Sequence, residues 1–195
     1  MLDPVEVHTL ITEQQVQEKV GELAQSISAD YVGSELVVIG ILKGAWVFLA
    51  DLVRRIAVPV TVDFVAASSY GGSTVSSGKV EMALDVKVPV EGRNVLLVED
   101  ILDTGLTLSH VVERLKLRRP ASLKLCVLLD KPSRRKTEVN ADYVGFVIPD
   151  RFVVGYGADV GERFRNLPYV GYVEEADPEV QGNKSRTERG MCDGQ

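Results

Sequence analysis

Largely apolar runs at residues 36–42, 95–98 and 123–129 are separated by stretches whose apolar residues recur at helical spacing. A short run with no polar alternation reads as a strand covered on both faces, the usual state of a strand inside a parallel sheet. Between them, Val16, Val20, Leu23, Ala24 and Ile27 fall at i, i+4, i+7, i+8 and i+11, which predicts a helix over about 12–27, capped by Thr12 or Glu13. A second helix is predicted over 46–56, with Trp46/Val47, Leu49/Ala50 and Leu52/Val53 turned inward, and a third through Leu108, Val111, Val112 and Leu115, stopping before Pro120. Residues 58–67 read as a further strand with Pro59 at its entry, since proline cannot donate to a ladder. A return strand follows at 80–85, and Glu91-Gly92 turn the chain into the central strand. Strands alternating with helices predict an α/β fold: a mainly parallel twisted sheet with helices on both faces.

The 195 residues suit one domain over 1–173. Residues 174–195 are polar and nearly devoid of apolar side chains, so a disordered C-terminal tail is expected there. A net charge of −6 argues against a nonspecific nucleic-acid or anionic-membrane binder, but local cations and amides still accommodate an anionic substrate. The two cysteines lack metal-ligand spacing. Cys126 reads as a small core residue and Cys192 lies in the tail, so a reducing cytoplasm is expected. The start carries no signal-peptide pattern, and no apolar run nears eighteen residues. His8 reads as structural or solvent-facing.

The chemistry concentrates where the central strand gives way to a helix. Val95–Val98 runs into Glu99, Asp100 and Asp103, then Thr104, Gly105, Leu106 and Thr107. Backbone amides at a helix start, flanked by hydroxyls, cradle phosphate. Adjacent carboxylates hold ribose hydroxyls or a hard divalent cation, and a further acid is free for proton transfer. The plainer alternative is a strand–turn–helix with solvated acids. Lys43-Gly44 close the strand 36–42 in the same way, and Lys131 closes 123–129. The Gly/Ser-rich stretch 68–79 is either a hairpin tip or a lid that excludes water. Arg134, Arg135 and Lys136 read as a solvated basic loop. Phe152 and Tyr156, among glycines, acids and arginines, suit either core packing or a pocket for a flat heterocycle.

The order Glu99-Asp100, two apolar residues, Asp103-Thr104-Gly105 and Thr107 resembles the phosphoribosyl-diphosphate (PRPP) motif of type I phosphoribosyltransferases. Over about 5–173 the chain resembles their hypoxanthine–guanine subfamily. That resemblance rests on the run Tyr143 to Tyr156, with Tyr143 where that subfamily has Phe and Arg151 where it has Lys. It implies a small hood built from both chain ends. The implied activity is purine salvage: hypoxanthine or guanine plus PRPP giving IMP or GMP and pyrophosphate. It implies that Lys43, Gly44 and Arg165 bind pyrophosphate and that the turn Asp103–Thr107 binds the 5′-phosphate. Glu99 and Asp100 would hold the ribose hydroxyls near Mg²⁺, Asp159 a second Mg²⁺. Asp103 would act at purine N7, Lys131 would bond the 6-oxo group, Phe152 would stack on the base and Val153 would meet its edge. Ser69 and Tyr70 would belong to the lid, and the Leu42–Lys43 peptide is implied to be cis. A homodimer or homotetramer is implied as well. Three other readings remain: a PRPP-sensing regulator that binds nucleic acid, a plain nucleotide-binding module, and a xanthine-preferring transferase. Neither a basic face nor an added DNA-binding domain, the marks of such a regulator, is visible in the acidic chain.

Overall fold

The computed structural model describes residues 5–69 and 80–174. Six strands form the main sheet: β2 (Leu36–Leu42), β3 (Val60–Ser69), β4 (Val80–Leu84), β5 (Asn94–Leu102), β6 (Ser122–Asp130) and β7 (Tyr143–Val147). Their spatial order is β4-β3-β2-β5-β6-β7. All neighbours run parallel except β3 and β4. Three more strands, β1 (His8–Ile11), β8 (Phe152–Val154) and β9 (Val170–Val173), make a separate antiparallel sheet in the order β1-β9-β8. Its strands come from the two ends of the described chain, as the expected hood does. His8 stands opposite Tyr172 in this sheet, its ring centroid 5.2 Å from the tyrosine's, in keeping with a structural role.

Alternation along the central strands explains the layering. Leu36, Val38, Leu96, Val98, Cys126 and Leu128 point to one side of the sheet, where they meet α1 (Glu13–Asp30) and α2 (Trp46–Val53). Val37, Ile39, Val95, Leu97 and Val127 point to the other, under α3 (Leu106–Lys116). A strand apolar at every position is therefore buried twice, once by each helical layer.

Thr12 caps α1 in a reciprocal box: its hydroxyl accepts from the Gln15 amide at 3.3 Å, and the Gln15 side chain accepts from the Thr12 amide at 2.9 Å. The helix runs three residues past the predicted end, through Ser28, Ala29 and Asp30. In α2 the predicted inward face needs correction. Phe48, Leu49 and Leu52 are buried, whereas Trp46 is 49% exposed and Ala50 faces outward. Seven of its eight residues are apolar, so the pattern marks no single face and contact with the sheet decides the rotation. This helix ends at Val53, short of residue 56, where Arg54 folds back to donate to the Ala50 carbonyl at 3.1 Å.

Candidate active site

Parallel strands end together, so β2, β5 and β6 deliver their following loops to one edge of the sheet. There they enclose a cleft of about 540 Å³, roofed by residues of the hood and the loop after β8. Lys43 and Gly44 after β2, Glu99, Asp100, Asp103, Thr104, Gly105 and Thr107 around the end of β5, Lys131 after β6, and Phe152, Val153, Asp159 and Arg165 all line it. Ser69 ends β3, and Tyr70 with the rest of the expected lid lies outside the described residues. Leu106, the first residue of α3, does not line the cleft with its neighbours; its amide turns back to the Thr104 hydroxyl at 3.4 Å.

The β5–α3 turn owes its shape to Gly105. Its φ of +82° suits glycine, and a Cβ there would come within 2.7 Å of the Thr137 carbonyl oxygen. The N-cap Gly105 has no side chain to cap α3, and beyond the Leu106 amide held by Thr104 the next amides of the first turn, those of Thr107 and Leu108, remain available to an anion. A strap from residues 134–137 holds the turn from behind. The amides of Lys136 and Thr137 donate to the Thr104 carbonyl at 2.9 and 3.1 Å. Arg135 donates to the Asp103 carbonyl at 2.6 Å while paired with Asp130. Arg134 lines the cleft, with its Nε 3.4 Å from Asp103 Oδ1 and a guanidinium nitrogen 3.7 Å from Asp150. The predicted solvated basic loop is thus corrected: two of its arginines brace the acid-bearing turn. A run of cations beside Lys131 was the available signal, but spacing could not aim it.

The acids sit in unequal surroundings. Asp100 is 8% exposed and its carboxylate packs on Gly44, whose Cβ, had it one, would fall inside that carboxylate. Burial pushes the Glu99 carboxyl well above its ordinary range, and the neighbouring Asp100 charge adds to the effect. Burial also raises Asp100, though hydrogen bonds and the Arg165 charge hold it back. Glu99 Oε2 and Asp103 Oδ1 are buried without a hydrogen-bond partner. Buried acids that repel one another and keep unsatisfied oxygens fit a site for a cation or for ligand hydroxyls.

Across the cleft Lys131 is 5% exposed, its Nζ donating to the Arg151 carbonyl at 2.7 Å with Asp150 at 3.5 Å. Phe152 stands 38% exposed at the mouth, while Tyr156 is buried and donates its hydroxyl to Asp51 at 2.6 Å. The two aromatics left open by the sequence therefore divide: Phe152 offers a face to the cleft, and Tyr156 packs in the core. Arg165 reaches Asp159 at 2.7 Å and donates to the Gly157 carbonyl at 2.7 Å. The Leu42–Lys43 peptide is cis.

The model of the phosphoribosyl transferase domain matches residues 7–160, most of the chain. The chain belongs to the phosphoribosyltransferase family. Within it, a hypoxanthine-guanine phosphoribosyltransferase of Bacillus subtilis is 50% identical over 167 residues, 86% of this chain and 93% of that protein. A solved hypoxanthine-guanine phosphoribosyltransferase of Bacillus anthracis shares 50% identity and superposes with a TM-score of 0.81, covering 88% of this chain and 99% of that one. A hypoxanthine phosphoribosyltransferase of Trypanosoma cruzi reaches 0.82 at 41% identity, covering 91% and 98%. The bifunctional protein TilS/HprT of Listeria monocytogenes is 50% identical over 171 residues, and there the chain spans 26% of the relative's length. In this member of the family the cleft just described sits at the edge of the main sheet where β2, β5 and β6 end.

Proposed function

We propose that this chain transfers the 5-phosphoribosyl group of PRPP to N9 of hypoxanthine or guanine, forming IMP or GMP and releasing pyrophosphate. One observation carries the reading: Asp103, Lys131 and Phe152, brought from three separate loops, line a single cleft together with the Glu99–Asp100 acid pair. An acid, a buried cation and an open aromatic face are the three groups a 6-oxopurine needs: one to handle its ring proton, one to meet its oxygen, one to stack on. Relatives along nearly the whole chain carry names that fit, and none of the relatives named above is called a nucleic-acid regulator.

Displacing pyrophosphate from the anomeric carbon breaks the carbon–oxygen bond and forms a carbon–nitrogen bond to the base. Positive charge builds on the ribose ring and negative charge on the departing oxygens. Lys43 and Arg165 face the second and stabilise it once their bonds to Glu162 and Asp159 open. The amides of the Asp103–Thr107 turn hold the 5′-phosphate. As the purine nitrogen attacks, a proton leaves the ring, and Asp103 accepts or shares it at N7. Lys131 rejects adenine, because a 6-amino group would set one donor against another in a buried place.

Glu99 and Asp100 would hold Mg²⁺ and the ribose hydroxyls. Among the described residues no group of three or more His, Cys, Asp or Glu side chains gathers around one point. Two acids completed by substrate oxygens and water suit Mg²⁺, which rarely takes an all-protein cage. When bound, the ion neutralises charge developing on the leaving diphosphate. Asp159 would hold a second ion only by releasing Arg165. Ser69 and Tyr70 remain proposed lid residues. The assembled state proposed is a homodimer or homotetramer, and the proposed compartment is the cytoplasm. Among the described residues no helix is long and apolar enough to cross a membrane.

The test is purified protein with PRPP, Mg²⁺ and each of hypoxanthine, guanine, xanthine and adenine. Nucleotide forms with a 6-oxopurine and not with adenine; no product with any 6-oxopurine overturns the reading, and xanthine as the best acceptor replaces the named substrates. In the same assay Asp103→Asn keeps PRPP binding and loses about 10²–10⁴-fold in turnover.

A further inference from the structure

The two cations assigned above to the diphosphate are engaged by a protein carboxylate. Lys43 Nζ lies 3.1 Å from both oxygens of Glu162. Arg165 reaches the same carboxylate at 3.3 Å, in addition to Asp159 at 2.7 Å. Glu162 is 119 residues from Lys43 in sequence and comes to it through a tightly turned loop. Gly161, Glu162 and Phe164 have φ of +57°, +66° and +72°, and the Glu162 amide donates to Asp159 Oδ2 at 2.7 Å. A glutamate in the left-handed region is disfavoured on backbone grounds, where glycine or asparagine sits more easily. Its side chain nevertheless bridges the loop after β2, through Lys43, and its own loop, through Arg165. Arg165 also keeps a buried Nε with no protein partner, so the guanidinium is not saturated by its two acids.

We propose that Glu162 is an internal competitor of the diphosphate, occupying Lys43 and Arg165 in exchange with it and thereby weakening pyrophosphate binding and speeding its release. The inference rests on the reading that these two cations hold the diphosphate. The Lys43 and Glu162 side chains are 66% and 64% exposed, so the bond between them is weak and opens readily. A ligand with several negative charges displaces one carboxylate; a single carboxylate still subtracts from that ligand's affinity. Product release sets the turnover of many enzymes, and a built-in rival anion eases the departure of pyrophosphate without touching the base. If Glu162 served only to hold Lys43 in position, removing its charge would weaken the diphosphate instead.

The experiment compares the full-length chain with Glu162→Gln and Glu162→Gly by calorimetric titration with pyrophosphate and Mg²⁺, and by product inhibition. The expected result is a Kd for pyrophosphate about two- to five-fold tighter in both variants, with a matching rise in inhibition by pyrophosphate. That gain shrinks towards none at 0.5 M salt, as screening of an exposed charge requires. In a Lys43→Ala background the effect of Glu162→Gln falls by at least half. Unchanged or weaker pyrophosphate binding in both variants overturns the inference. A wild-type chain that makes no nucleotide and does not bind PRPP overturns the underlying reading, while a wild-type chain that turns over beside variants with no tightening removes only the role of Glu162. Glu162→Gly also relieves the positive φ, so a tightening that survives in both variants separates the charge from the backbone.

Discussion

Glu99 shows what a single side chain can cost. Its carboxyl is buried beside Asp100 with one oxygen unpartnered, and its pKa lies well above the ordinary 4.5. A carboxyl whose folded pKa is raised supports the fold fully below the unfolded value, and that support is lost as pH rises from about 4.5 through the folded pKa. Glu99→Gln is therefore expected to raise the melting temperature at neutral and higher pH by about 2–4 °C, the shift that about 1 kcal/mol makes in a domain of this size, and to flatten the fall in stability as pH rises above about 4.5. The same variant binds PRPP more weakly, because the oxygen without a protein partner is the one left for the ligand. Scanning calorimetry across that pH range checks the first part and titration with PRPP the second; a melting temperature equal to or below that of the wild type removes the idea of stored repulsion. That Glu99, Asp100 and Asp103 come together around the end of β5 was legible from their order in sequence. Arg134 was not, because whether a surface arginine faces water or an acid depends on where a loop from another strand comes to rest.

Turns built on glycine show a second kind of dependence. Gly157 has φ +104°, and a Cβ on it would collide with the carbonyl oxygen of Gly44, which itself packs on Asp100. Gly33 shares the positive φ, at +76°, but has open space around it. Both pay the backbone penalty of alanine, about 1–2 kcal/mol, but only Gly157→Ala must also push one loop away from another. We expect Gly157→Ala to lose about 2–3 kcal/mol of stability and to raise KM for PRPP, and Gly33→Ala to lose about 1 kcal/mol with KM unchanged. Equal losses in chemical denaturation would mean that the contact with Gly44 carries no strain. The elements on either side of these turns were readable in advance: β2, β5 and β6 from unbroken apolar runs, α1 and α3 from helical spacing. The rotation of α2 was not, since an almost wholly apolar helix has no polar face to mark its outside.

One polar tie between the part of the chain roofing the cleft and the helical layer runs from Tyr156 into α2. Its hydroxyl donates to Asp51 at 2.6 Å; Asp51 also accepts from Gln17 of α1 at 3.1 Å, and Arg55 donates to the Gln17 carbonyl at 2.7 Å. Burial raises the Asp51 pKa, but the hydrogen bonds from Tyr156 and Gln17 and the Arg54 pairing outweigh it, so the net shift is downward. A carboxyl of this kind supports the fold above its unfolded pKa near 3.8, and the support fades as pH falls through the folded value. Tyr156→Phe is expected to cost about 1.5–3 kcal/mol, the range for a hydrogen bond to a charged acceptor, to reduce the acid sensitivity of stability, and to lower kcat by loosening the roof of the cleft. Urea denaturation at pH 7 and pH 3 with parallel kinetics at pH 7 checks all three, and an unchanged midpoint at both values would mean the tie is idle. At this level the chain's net charge of −6 is a poor guide, because Lys43, Lys131, Arg134 and Arg165 converge on one cleft in an otherwise acidic molecule. Local order in the chain was enough to mark β2 to β6 and the three helices, though not the strands β1, β7, β8 and β9, and to bring the acids, hydroxyls and Gly105 to one turn, since apolar periodicity and neighbouring residues act over a few positions. Folding alone could settle that Arg134 and Arg135 brace that turn, that Glu162 bridges Lys43 and Arg165, and that Tyr156 is an anchor while Phe152 stands open at the mouth of the cleft. Those facts depend on burial and on distances between residues dozens of positions apart, which exist only once the sheet, its helices and the hood have packed.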